Sequence, residues 1–234
     1  MLITIPELIL IFFALAILYL IKKVIKLKQE FIHKYPLEFF SISLLILTLG
    51  SVIYNHSVLY DGWRHLFFLF APILFISISG LQFLIQQISG YSQLYKLLTK
   101  SIILIFTFQI GYVAFTLHPY QNVYFNTASG INNESKRFEY ELDYWGLSFR
   151  EATEKLLEQD TSYKIKIHFP NNAGHHNLSI LNETQRNRII ETSFEEADYF
   201  ITNYRWGDRE FTELNKIDSI MAGNIPISGT FKLK

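Results

Sequence analysis

The sequence predicts a membrane α-helical region of about four transmembrane helices, with both termini outside, followed by a small extracytoplasmic α/β domain. Three observations lead there. Residues 1–117 carry eight basic and four acidic side chains, against thirteen and seventeen in residues 118–234, so a net charge of zero hides a positive half followed by a negative one. Four long apolar runs lie in the first half, where a bilayer span needs about 20 residues. Soluble periodicities begin only after Leu117. The predicted division is therefore 1–117, membrane region, and 118–234, outer domain.

The composition excludes other classes. Half of the 234 residues are hydrophobic and mean hydropathy is +0.17, too apolar for a disordered chain. Balanced charge gives no bulk electrostatic drive toward nucleic acid, and with no cysteine there is no disulfide framework, thiol chemistry or Cys-type zinc site.

The spans are expected at 5–21, 37–54, 66–85 and 101–117. The last two contain no Asp, Glu, Lys or Arg. A soluble core helix rarely stays apolar on every face for that length. Lys22, Lys23, Lys26, Lys28 and Lys34 face only Glu30 between the first two spans, and Lys96 and Lys100 precede the fourth. By the positive-inside rule both loops are cytoplasmic, which places 55–65 and everything after His118 outside. The amino terminus is then also expected outside, with no basic region ahead of the first apolar run to form a cleavable signal.

In the second half, Leu147–Gln159 reads as an amphipathic helix with Ser148 as N-cap, Glu151 at the capping-box position and Leu147, Ala152, Leu156 and Leu157 on one side. Tyr163–Phe169 alternates and ends at Pro170, a strand signal. Leu178–Thr192 is expected to be helical, at least in its second part. Ala197–Tyr204 reads as a buried strand, and Ser219–Ala222 with Pro226–Leu233 as a hairpin around Gly223-Asn224.

Three clusters could carry chemistry. Tyr60, Asp61, Trp63, Arg64 and His65 crowd the mouth of the third span. A guanidinium there stays charged and forks onto two phosphate oxygens, His65 adds a donor, and the aromatic rings can stack on a sugar. An aromatic belt with an Asp61–Arg64 pair and a snorkelling Arg64 explains the same residues. His118, Tyr120 and Tyr124 follow the fourth span, where an interfacial elbow is the simpler reading. Glu139, Glu141 and Asp143 alternate with apolar residues, as in a strand with one acidic face able to bind a metal or exchange protons, or merely solvated. His168, His175 and His176 lack a third ligand at a recognisable spacing. The residues alone designate no catalytic group and no metal site.

Three blocks, LYDGWRHLFFLFAPI (59–73), HPYQNVYFN (118–126) and FEYELDYWGLSFREA (138–152), together resemble the carboxy-terminal half of bacterial polytopic glycosyltransferases related to protein O-mannosyltransferases and aminoarabinose–lipid A transferases. The resemblance covers most of 55–155 and is loose over the last 80 residues. It implies a GT-C fold in the bacterial inner membrane and a sugar donor on polyprenyl phosphate at the outer face. Arg64 and His65 would then meet the donor phosphate, with Tyr60, Asp61, Trp63, His118, Tyr120 and Tyr124 lining the same cavity. A divalent metal stays open, because the departing phosphate needs cationic stabilisation. In the family the catalytic acid lies in the first large outer loop, and no Asp or Glu in 1–54 matches it; Glu7, Glu30 and Glu38 fit poorly. The expected function is thus a carboxy-terminal portion that begins mid-bundle, either truncated or working with a second membrane chain that supplies the rest, and that is not active by itself. The alternative is a non-catalytic, membrane-anchored extracytoplasmic binding or accessory protein. Membrane lipid is a partner under both.

Overall fold

Apolar runs propagate as helix, and each of the four runs forms one; Pro72 falls within the first turn of its helix, where its missing N–H breaks no intrahelical bond. In the computed structural model, which describes residues 2–59, 65–130, 136–205 and 211–234, these are α1 (Glu7–Leu27), α3 (Pro36–Tyr54), α4 (Phe70–Ile88) and α5 (Gln93–Thr116), with a one-turn helix α2 (Glu30–Lys34) after α1. All four long helices are long and apolar enough to cross a membrane. Pro36 occupies the first position of α3, where its missing N–H is no loss. Two helices outrun the apolar stretches. α1 continues through Lys22, Lys23 and Lys26, and α5 begins eight residues before Ser101, because lysine stems extend a helix while their ammonium ends reach water.

The chain divides into two compact units, Met1–Val113 with Phe125–Thr127, and Ala114–Tyr124 with Ala128–Lys234. In the first, α1 packs on α4 at a point where only glycine fits. A Cβ on Gly80 would stand 1.9 Å from the Phe12 carbonyl oxygen and 2.9 Å from the Ala16 nitrogen. Ala16, Leu20 and Ile76 are fully buried along this seam. Ser77 Oγ lies 2.7 Å from the Ile73 carbonyl and 3.0 Å from the Ile9 carbonyl, so its one proton serves both helices. Ser79 Oγ donates to Glu38 Oε1 at 3.1 Å, joining α4 to α3. Asn126 returns to the amino terminus: its Nδ2 donates to the Leu2 and Ile5 carbonyls at 2.8 Å each, and its N–H to Ile3 at 2.7 Å. Beside it, the Thr127 N–H donates to Glu7 Oε1 at 2.8 Å.

The second unit is a five-stranded mixed sheet in the order β2-β1-β3-β5-β4, built from β1 (Ile165–His168), β2 (Ile189–Glu191), β3 (Tyr199–Thr202), β4 (Asn215–Ala222) and β5 (Ile225–Lys232). β1 is parallel to β2 and β3, while β5 runs antiparallel to β3 and β4. The helix α7 (Ser148–Gln159) lies on the sheet, burying Phe149, Ala152, Leu156 and Leu157 with Ile165, Ile167, Ile201 and Ile227. At its carboxy end Arg188 donates to the carbonyls of Leu157 in the last turn (2.9 Å), of the C-cap residue Asp160, and of Ser162 just beyond it (3.2 Å). Asp160 in turn accepts the Ser162 N–H and the Tyr199 hydroxyl, each at 2.8 Å. Ser162 holds that carboxyl below its ordinary range, and burial with the Asp160 charge pushes the Tyr199 hydroxyl up to about 12.

Several expectations are corrected. Leu147 is half exposed and Phe149 takes its place in the core, since the helix starts one residue later. Leu178–Thr192 is not one helix: α8 (Asn172–Leu178) precedes it, α9 (Glu183–Asn187) is short, and Ile189–Glu191 pairs as the edge strand β2. Glu139, Glu141 and Asp143 do not share a strand face. Glu139 ends the one-turn helix α6 (Lys136–Glu139), and the chain then runs as irregular backbone to Asp143.

Gly80→Ala is expected to destabilise the first unit by about 1–3 kcal/mol, because α1 must move off α4 to admit one methyl group. Unfolding of the detergent-purified chain by increasing SDS measures it, and an unchanged midpoint contradicts the seam.

Candidate functional site

The first cluster is only partly in view. Tyr60, Asp61, Trp63 and Arg64 lie outside the described residues. His65 is exposed and immediately precedes buried Leu66 and the 3-10 turn Phe67–Leu69 that leads into α4.

The second cluster is spread over distinct tasks. Gln121 Nε2 donates to the Ala114 carbonyl at 3.1 Å and lies 3.0 Å from His118 Nδ1. An amide NH2 only donates, so Nδ1 accepts and the His118 ring proton sits on Nε2. The His118–Pro119 bond is cis. Tyr120 is 4% exposed and its hydroxyl donates to Glu151 Oε2 at 2.6 Å. Lys155 Nζ stands 3.0 Å from the other oxygen, Glu151 Oε1. Burial, then the Glu151 charge, pushes the Tyr120 hydroxyl far above its ordinary value. It is therefore a neutral hydrogen-bond donor at every physiological pH. Burial disfavours ionised Glu151, yet the bonds from Tyr120 and Lys155 outweigh it and hold that carboxyl below 4.5. Tyr124 is half-buried. Tyr120 is thus drawn to α7, whose Glu151 was expected to close a capping box.

The residue that organises the third cluster is Asp143, 1% exposed. Its Oδ1 accepts the Leu147 N–H and its Oδ2 the Ser148 N–H, each at 2.9 Å, and Ser148 Oγ donates to Oδ2 as well. Ser148 does not cap α7; Asp143, five residues earlier, takes the free N–H groups of the first turn, where a negative charge also meets the positive end of the helix dipole. Burial raises the Asp143 carboxyl and these bonds oppose the rise. Gly146 permits the tight approach: at φ +67 its Cβ would fall 2.7 Å from both Ala173 Cβ and a Phe149 ring carbon.

The same loop closes the carboxyl ends of β1 and β3, where strand order reverses and α/β sheets commonly bind ligands. Asn203 Nδ2 donates to the Asp143 carbonyl at 2.7 Å, and Asn171 Nδ2 donates to Asn203 Oδ1 at 3.0 Å. Asn171 Oδ1 accepts the Ala173 N–H at 3.1 Å. Each amide thus donates and accepts within the chain. A cavity beside them, lined by Tyr140, Leu142, Asn203, Tyr204, Pro226 and Ile227, holds about 10 Å³, the room of one water molecule. Arg205 stacks over the Tyr144 ring at 4.0 Å and pairs with Glu141 at 3.5 Å, next to exposed Trp145.

The histidines separate. His168 Nδ1 is 2.9 Å from the Thr192 carbonyl, and its ring stacks on Phe200. His175 Nδ1 meets Glu191 Oε2 at 2.6 Å, with the His176 ring edge-on to it at 5.7 Å. Among the described residues no three His, Asp or Glu side chains gather as metal ligands. The roles of Asp143 and Arg188 were missed by sequence reasoning. A cap five residues from its helix lies outside the short capping motifs, and a cation capping a distant helix end leaves no local pattern.

No protein-family model, curated protein or solved structure matches this chain.

Asp143→Ala is expected to cost the second unit about 1–2 kcal/mol through the lost cap, with Asp143→Asn retaining part; thermal unfolding followed by circular dichroism measures it. Glu151 gives a pH dependence of defined sign. Its folded value lies below its unfolded one, so its contribution is complete above pH 4.5 and is lost as pH falls through the folded value. The stability gap between the native chain and Tyr120→Phe should therefore be widest near neutrality and shrink below pH 4.5; a gap constant with pH would contradict the ionic character of this bond.

Proposed function

We propose that this chain is the carboxy-terminal portion of a membrane glycosyltransferase that uses a sugar carried on polyprenyl phosphate. It would sit in the bacterial inner membrane with the lysine-rich loops in the cytoplasm and the second unit outside. The observation that carries the reading is the order and spacing of the blocks at 59–73, 118–126 and 138–152. Arg64 and His65 would hold the donor phosphate as the bond to the anomeric carbon breaks, a step in which negative charge grows on the departing oxygen. Sugar transfer also needs a base for the acceptor hydroxyl. The three acids of residues 1–54 are engaged elsewhere: Glu7 accepts from Thr127, Glu30 pairs with Lys34, and Glu38 accepts from Ser79. The base is therefore assigned to a second membrane chain.

One observation favours the alternative of a non-catalytic anchored binding protein. The polar groups of the resembling blocks that lie in view serve as joints: Tyr120 bonds α7, Asn126 holds the amino terminus, and Asp143 caps a helix.

Binding of undecaprenyl phosphate to the detergent-purified full chain, read by native mass spectrometry, separates the two. The glycosyltransferase reading expects binding that falls about ten-fold or more in Arg64→Ala, the scale of a lost charged hydrogen bond. No binding, or binding indifferent to Arg64→Ala and His65→Ala, favours the anchored binding protein.

A further inference from the structure

We propose that α5 is a dimerisation helix, through which two copies of this chain pack side by side in the membrane with their Gln109 carboxamides hydrogen-bonded to one another. The inference rests on membrane insertion as read above, and not on the glycosyltransferase assignment.

No residue of α5 is buried, whereas α1, α3 and α4 each bury residues against their neighbours. Lipid alone could cover an apolar helix, but α5 is not wholly apolar. Gln109 is exposed nine residues beyond Lys100, about 13 Å along the axis, and seven before the end at Thr116, close to the middle of a span. A primary amide there has no water to bond. Two threonines within the helix are provided for: Thr107 Oγ1 donates to the Ile103 carbonyl at 2.9 Å and Thr99 Oγ1 to Tyr95 at 3.0 Å. Ser77 and Ser79 of α4 are likewise bonded within the bundle. Gln82, Gln86 and Gln87 lie in the last two turns of α4, near enough to its end to reach the interface. Among the described residues nothing bonds Gln109.

The face that carries it has the spacing of a helix pair. Leu98, Ile102, Ile105, Gln109, Tyr112 and Thr116 alternate steps of four and three, the heptad seam along which helices pack at a shallow left-handed crossing. Leu98, Ile102, Ile105 and Tyr112 are all at least half exposed. A polar residue on such a seam sets register and partner number. A second copy is the occupant this face selects. A carboxamide both donates and accepts, so it is its own complement across a two-fold axis. Two copies inserted the same way bring their Gln109 residues to equal depth without further adjustment, whereas an unrelated helix would need its own polar group at that depth.

The absence of cysteine makes the test direct. Single-cysteine full chains, Ile105→Cys and Tyr112→Cys on the seam and Thr107→Cys and Gly111→Cys on the opposite side, are expressed in bacterial membranes, washed with carbonate and oxidised with copper phenanthroline. Disulfide-linked dimers of the chain are expected from positions 105 and 112 and not from 107 and 111. Adding Gln109→Leu to Ile105→Cys should lower the dimer about five- to thirty-fold, the range of an interhelical hydrogen bond in a membrane, while Gln109→Asn should preserve it. Equal yields around the helix, no dimer in carbonate-washed membranes, a dimer indifferent to Gln109→Leu, or a disulfide to another protein would each overturn the proposal. A chain that carbonate releases from the membrane would instead overturn the insertion reading, and this proposal with it.

Discussion

A polar group taken out of water has to find a partner, and most of the well-defined joints in this chain are answers to that demand. In the first unit the Ser77 proton is shared between carbonyls on two helices, and Glu38 receives Ser79. In the second, an aspartate side chain with 1% exposure is met by donors from a backbone turn and a serine, which oppose the rise that burial imposes on its carboxyl. Gln109 is the exception, since the demand is the same and nothing among the described residues meets it.

Close approach of backbones is the complementary constraint. At Gly80 the Phe12 carbonyl occupies the space of a side chain, so α1 and α4 meet nearly main chain to main chain. Where apolar surface is no scarcer outside a bundle than within it, such contact and interhelical hydrogen bonds are what hold helices together. Gly146 plays a comparable part in the second unit, letting the Asp143 loop lie against Ala173 and Phe149 at the ends of the parallel strands. That position would be the natural ligand crevice of the sheet. Here the chain fills it with its own amides, leaving space for about one water.

Tyr120 stands in a block that resembles a donor cavity, yet its hydroxyl is buried against Glu151 and stays protonated. Asn126 closes the same block and bonds two carbonyls near the amino terminus. Such residues position the chain, and the chemistry proposed for the protein falls to the arginine and histidine ahead of α4.

By itself the sequence determined the four long helices, the change of character after Leu117, the helix of 148–159 and the closing hairpin, because each follows from hydrophobic periodicity and nearby turn residues that act within a few positions. Only the tertiary structure decided that Asp143 caps α7 in place of Ser148, that Ile189–Glu191 is a strand, and that Arg188 serves a helix end 31 positions away. It also decided that α5, alone among the four long helices, buries none of its residues. A strand of three residues has too little pattern to announce itself, and its identity comes from the ladder beside it. Caps and clamps across long separations depend on which groups the folded chain brings within 3 Å of one another, and that is a property of packing rather than of any local stretch of residues.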